Sequence, residues 1–116
     1  MPADRILDRL RDILNAIDAI QRYTDGRSYA SFKADRLVVD AVERHIERLS
    51  EASRHIPEAM KLEHPGIQWR AVADVGNVLR HAYNQVLDEE TWVIVSQDAE
   101  PSKTAVLALI AKLEEH

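Results

Sequence analysis

The feature that most constrains this chain is the return of apolar residues at intervals of three and four. Ile6, Leu10, Ile13, Ile17 and Ile20, with Leu7 and Leu14 beside them, make one stripe along a helix. Such a stripe is stable only when another apolar surface takes it out of water. The same spacing recurs in Val39, Val42, Ile46, Leu49, Ala52 and Ile56, entered by Leu37 or Val38. It recurs again in Val72, Val75, Leu79, Ala82 and Val86, and once more in Val106, Leu109, Ile110 and Leu113. Only three Gly and four Pro interrupt 116 residues, and good helix formers fill the space between. The expectation is an all-α fold: one domain over residues 1–116, an up-and-down four-helix bundle with a short extra helix.

Local signals place the ends. The first helix is predicted from about Pro2 to Tyr23, with Pro2 where a missing N–H costs nothing and Thr24, Asp25 and Gly26 closing it. A second helix, capped by Ser28 or Ser31, is predicted to run to about His55, because Pro57 disfavours helical geometry before it. One helical turn at Glu58 to Leu62 would sit in the connection that follows. The third helix is expected from Ile67 to about Asn84. Asp88 then reads as the N-cap of a short helix, with Glu89 and Glu90 in its first turn and Trp92, Val93 and Val95 on it. The chain restarts at Pro101 for the last helix.

Composition excludes several function classes. With no Cys there is no disulfide framework, thiolate zinc site or cysteine nucleophile. His45, His55, His64 and His81 are spaced by ten, nine and seventeen residues, none of them a helical ligand spacing, so neither a metal nor any other cofactor is expected. The opening MPADRILDRLRD is charged at every turn, and no apolar run is long enough to span a bilayer, which points to a cytoplasmic protein away from membranes. Six aromatic residues are too few for a base-stacking platform. The net charge of −5 is uneven: residues 82–116 carry two basic and seven acidic side chains, residues 44–81 six and five. A local basic surface therefore remains open in the middle of the chain.

The third helix carries the chemistry. With Asn77 at zero on a wheel of about 100° per residue, Val72, Val75, Leu79, Ala82 and Val86 fall on the opposite side. Arg70, Asp74, Arg80, His81 and Asn84 fall within about 60° of Asn77. One stripe thus offers a group that exchanges protons near neutrality, a permanent cation and neutral amides. Cleavage of an RNA phosphodiester uses those types: a base for the 2′-hydroxyl proton, an acid for the 5′-oxygen, and a cation for charge building on phosphate. A polar stripe is also what any solvated helix presents.

The run Gly76-Asn77-Val78-Leu79-Arg80-His81-Ala82-Tyr83 resembles the signature helix of the HEPN superfamily, specifically the HepT-like toxins of toxin–antitoxin pairs. That signature reads Arg, Asn, three residues, His, one residue, Tyr, and Asn77, His81 and Tyr83 match it. The likeness extends to the opening amphipathic helix, to Val42-Glu43-Arg44 and Ser50-Glu51-Ala52, to the Ile67-Gln68-Trp69 entry and to the Trp92 helix. It departs at Gly76, where the family has its catalytic Arg.

The resemblance implies a homodimer whose paired motifs form a cleft for metal-independent RNA cleavage, leaving a 2′,3′-cyclic phosphate. His81 would be the general base or acid, Asn77 would orient His81 or the phosphate, and Tyr83 would be the site at which a nucleotidyltransferase-type antitoxin attaches AMP. Arg80, one residue before His81, is a candidate for the displaced cation, and Gly76 suggests close approach by a second backbone. Glu51 and Asn84 are candidates to support these residues, although Glu51 beside Arg48 or Arg54 also reads as a surface pair. Trp69 and Trp92 read as core or interface anchors. Two functions remain: an endoribonuclease toxin, or a non-catalytic HEPN-like module that binds a nucleotidyltransferase partner or a nucleotide.

Overall fold

The computed structural model describes residues 3–81 and 85–115. The first helix, α1 (Ala3–Thr24), has Asp4 in its first turn and Arg22 in its last, each at the end its charge favours. Gly26, at φ 73°, takes the left-handed conformation that lets the chain leave it.

The second predicted helix is two. Ser28 and Ser31 form a reciprocal capping box that starts α2 (Tyr29–Ala34). Asp35 then adopts an extended backbone, and its carboxylate accepts the Val38 N–H to cap α3 (Arg36–Ser53). A second cap inside the expected helix is what divides it. The break lets Phe32 turn fully inward and leaves Leu37 83% exposed, so Val38, in contact with the core, is the residue that enters the stripe. α3 also stops short of the predicted His55, at Ser53.

A single turn, α4 (Glu58–Lys61), follows Pro57 as expected, and α5 (Trp69–His81) carries the polar stripe. α6 (Gln85–Val93) passes through a π-helical turn (Ile94–Asp98) into α7 (Ala99–Glu114) with no loop between them. Asp88 is not the N-cap that its sequence neighbourhood suggests. It lies in the first turn of α6, buried, and pairs with Arg36 at 2.9 Å. A carboxylate buried on this side of the fold needs a cation more than a helix end.

Every regular element among the described residues is a helix, with no strand among them. α1 packs on α3 and on α7, and α3 carries α5. Ile6, Leu10, Ile13 and Ile17 meet Leu49, Ala52, Ile56, Val106 and Leu109 in one core cluster. Ile20, Phe32, Val39, Val42 and Ile46 form a second, which Trp92 closes by packing on Phe32 with ring centroids 5.1 Å apart. The stripes read from the sequence are therefore the core of the bundle wherever their side chains are described, Ala82 and Val86 lying outside that description, and both Trp residues pack against it. No described helix is long and apolar enough to cross a membrane.

The pair between Arg36 and Asp88 joins α3 to α6, so its removal has a readable cost. Arg36→Ala leaves the Asp88 carboxylate buried without its partner and is expected to lower stability by about 2 kcal/mol in chemical denaturation. With Asp88→Asn also present, the further loss of the Arg36 side chain is expected to cost less than half of that.

Candidate active site

α5 is fixed from its first residue. The Trp69 indole N–H donates to the His64 carbonyl at 3.1 Å, and its ring packs on the first core cluster. Val72 packs on the same cluster, and Val75 and Leu79 on the second. Those contacts set the rotation of the helix about its axis, as the wheel predicts for the apolar side.

On the flank toward α3, a hydroxyl joins the two helices. Ser50, buried, donates to the Ala73 carbonyl at 2.7 Å and accepts the Gly76 N–H at 3.3 Å. Gly76 is itself buried, and the absence of a side chain there suits the approach of α3. The contact recorded at Gly76 is this side-chain hydroxyl of α3.

One turn along α3, the Arg54 guanidinium reaches the same carbonyl. Nε lies 3.1 Å and Nη2 2.6 Å from the Ala73 oxygen, while Nη1 is 3.4 Å from Glu51 Oε2. Glu51 also contacts His55 at 3.3 Å and is half exposed. Of the two roles its neighbours suggested, the structure shows the surface pairing.

Asn77, Arg80 and His81 occupy the second half of α5, with Asn77 and His81 one helical turn apart. Their side chains are outside what is described, and Tyr83 and Asn84 lie outside the described residues altogether. Arg70 and Asp74, from the same stripe, are exposed. Sequence reasoning missed Ser50 and Arg54 as neighbours of this helix. Their four-residue spacing puts them on one face, but the group they share is a backbone carbonyl, which no residue pattern marks.

Beside the site, α1 and α3 enclose an open cleft of about 750 Å³ with Arg9, Arg44, His45 and Arg48 on its walls and Asp12 and Glu47 opposing them. The His45 ring stacks on Tyr23 at 5.8 Å. Burial, then the positive charges of Arg48, Arg22 and Arg44, hold its pKa below the usual histidine range. Glu43, half-buried on α3, is pushed the other way by burial and by Asp40 and Asp88, with Arg36 opposing them. Among the described residues, no group of three or more His, Asp or Glu is placed to hold a metal ion.

A family model described as Ribonuclease HepT-like matches residues 13–109, a span that takes in all of α3 and α5 and most of the rest. The chain belongs to the HepT-like ribonuclease family. It is 37% identical over 91 residues to a protein of Thermococcus cleftensis named "Probable ribonuclease HepT", covering 78% of this chain and 83% of that one. A Methanocaldococcus jannaschii protein named "Putative RNase" is 29% identical over 97 residues, 84% of this chain and 89% of its own length. Another protein of that organism, named as a gamma-glutamylcyclotransferase and putative RNase, is 28% identical over 107 residues, 92% of this chain but 48% of the longer relative. No solved structure matches the chain.

For a HepT-like chain with His45 held in its neutral form, the pH dependence follows. The unfolded histidine, with a pKa of about 6.5, takes up a proton before the folded one does. The fold therefore keeps its full stability above that value and loses part of it as pH falls through it. His45→Gln is expected to shrink the drop in Tm between pH 7.5 and pH 5.5, measured by thermal unfolding against the parent chain. An equal or larger drop in the variant contradicts the assignment.

Proposed function

We propose that this HepT-like chain is a metal-independent endoribonuclease, the toxin of a toxin–antitoxin pair. The observation that carries the reading is the placement of Asn77 and His81 one turn apart on α5, a helix held by its other sides to α3 and the core, in a chain of this family. In the reaction, a base removes the 2′-hydroxyl proton and the 2′-oxygen attacks the adjacent phosphorus. The 5′-oxygen then leaves with a proton supplied by an acid, giving a 2′,3′-cyclic phosphate and a 5′-hydroxyl end. His81 serves as base or acid, Asn77 orients it or the phosphate, and Arg80 is the cation available on the same helix.

Two copies meeting across their α5 surfaces would supply two His81 side chains, one for each proton transfer. Control would fall to a nucleotidyltransferase-type antitoxin that attaches AMP to Tyr83, since added negative charge beside a phosphate site repels RNA. Glu51 and Asn84 are the candidates to support the site from behind. The specific observation favouring a second reading is Gly76: without an Arg there, the chain would be a non-catalytic module that binds a nucleotidyltransferase partner or a nucleotide.

Incubation of the purified protein with unstructured RNA in EDTA separates the two. Cleavage to cyclic-phosphate ends is expected, and His81→Ala is expected to slow it by at least about 100-fold, the ordinary worth of a general acid or base. Cleavage that is unchanged in His81→Ala, or intact RNA with protein shown by mass spectrometry to be unmodified, overturns the nuclease reading.

A further inference from the structure

The Ala73 carbonyl is offered more hydrogen bonds than it can accept. Inside α5 it already serves the backbone N–H one turn ahead, and a carbonyl oxygen has two lone pairs. The Ser50 hydroxyl at 2.7 Å takes the second. The Arg54 Nε and Nη2 donors, at 3.1 and 2.6 Å, are then a third and fourth claim on one neutral oxygen.

Among the described residues the remaining arm of the guanidinium has only the distant contact with Glu51, at 3.4 Å, and a third of the side chain is open to solvent. A planar fork of donors with no acceptor of matching shape is poorly satisfied where it stands. A phosphate diester, with two charged oxygens at the spacing of that fork, would satisfy it in full.

The position suits the task. Helix carbonyls point toward the C-terminus, so the guanidinium on Ala73 stands alongside the turn that holds Gly76 and Asn77. Ser50, one turn before Arg54, holds the Gly76 N–H. The cation that position 76 lacks is therefore supplied to the same turn from α3.

We propose that Arg54 binds a backbone phosphate of the RNA on the α5 surface, exchanging its bonds to the Ala73 carbonyl for the phosphate oxygens. The phosphate contact makes a prediction of its own, while the choice of RNA as ligand rests on the nuclease reading. Glu51 holds the guanidinium in its waiting position and is released when the phosphate arrives.

Binding to a fully 2′-O-methylated RNA, which cannot be cleaved, reads the contact without the chemistry. Each phosphate contact to a single strand contributes about 0.7 to the slope of log affinity against log salt. Arg54→Gln is expected to lower that slope by about this amount, and Arg54→Lys, which keeps the charge but loses the fork, is expected to keep the slope with weaker binding. Arg11→Gln, which removes the same charge from the exposed pair with Glu114, is expected to leave the slope unchanged. Circular dichroism and Tm of each variant identify any that fail to fold, and Arg54→Met, which also removes the charge but keeps much of the stem, then stands in for Arg54→Gln.

On cleavable RNA, loss of the Arg54 fork is expected to cost roughly 100-fold in single-turnover rate, the worth of one donor to a developing phosphate charge. A salt slope equal in Arg54→Gln and the parent overturns the proposal, whatever the cleavage result. A lowered slope with no cleavage by the parent leaves the phosphate contact standing and removes the nuclease.

Discussion

One buried hydroxyl organises the part of this protein that matters for function. Ser50 reaches from α3 to both the carbonyl of Ala73 and the amide of Gly76 on α5. The bond to Ala73 and the bond from Gly76 lie on the same flank of the helix. Together with Val72, Val75 and Leu79, which pack on the core, they hold α5 on two sides. Apolar packing supplies most of the energy of such a bundle, but it is weakly directional. A short hydrogen bond to a backbone group fixes depth and register in a way that packing alone does not.

This arrangement changes how the departure from the family's motif reads. A glycine in a helix interior costs about 1 kcal/mol relative to alanine, so it asks for a compensating contact. Here that contact is intramolecular, between α3 and α5. Position 76 carries no Arg, while Arg54, one turn after Ser50, reaches the same carbonyl from across the crossing. The helix crossing is therefore a structural joint that also brings a guanidinium to the Ala73 carbonyl.

Much of the architecture was legible because burial imposes a period. Ile6 to Ile20 and Val39 to Ala52 are the buried stripes of α1 and α3, and Val106, Leu109 and Ile110 are those of α7. What escaped depends on local competition. Asp35 reads as an ordinary helical surface residue until its side chain is seen capping Val38, and Asp88 reads as a cap until Arg36 is seen beside it. Of the site, the order Asn77, His81 along one helix was legible. Ser50 and Arg54 were not, since a side chain that seeks a backbone carbonyl two helices away in sequence leaves no complementary residue to notice.

The central claim is that α5 takes its place from the Ser50 joint, and amide hydrogen exchange tests it most directly. Ser50→Ala, which removes only the hydroxyl and its bonds, should speed exchange at the amides of residues 73–80 while those of α1 and α7 keep their protection. Equal exchange across α5 in both proteins, or loss of protection spread evenly over the whole bundle, contradicts it.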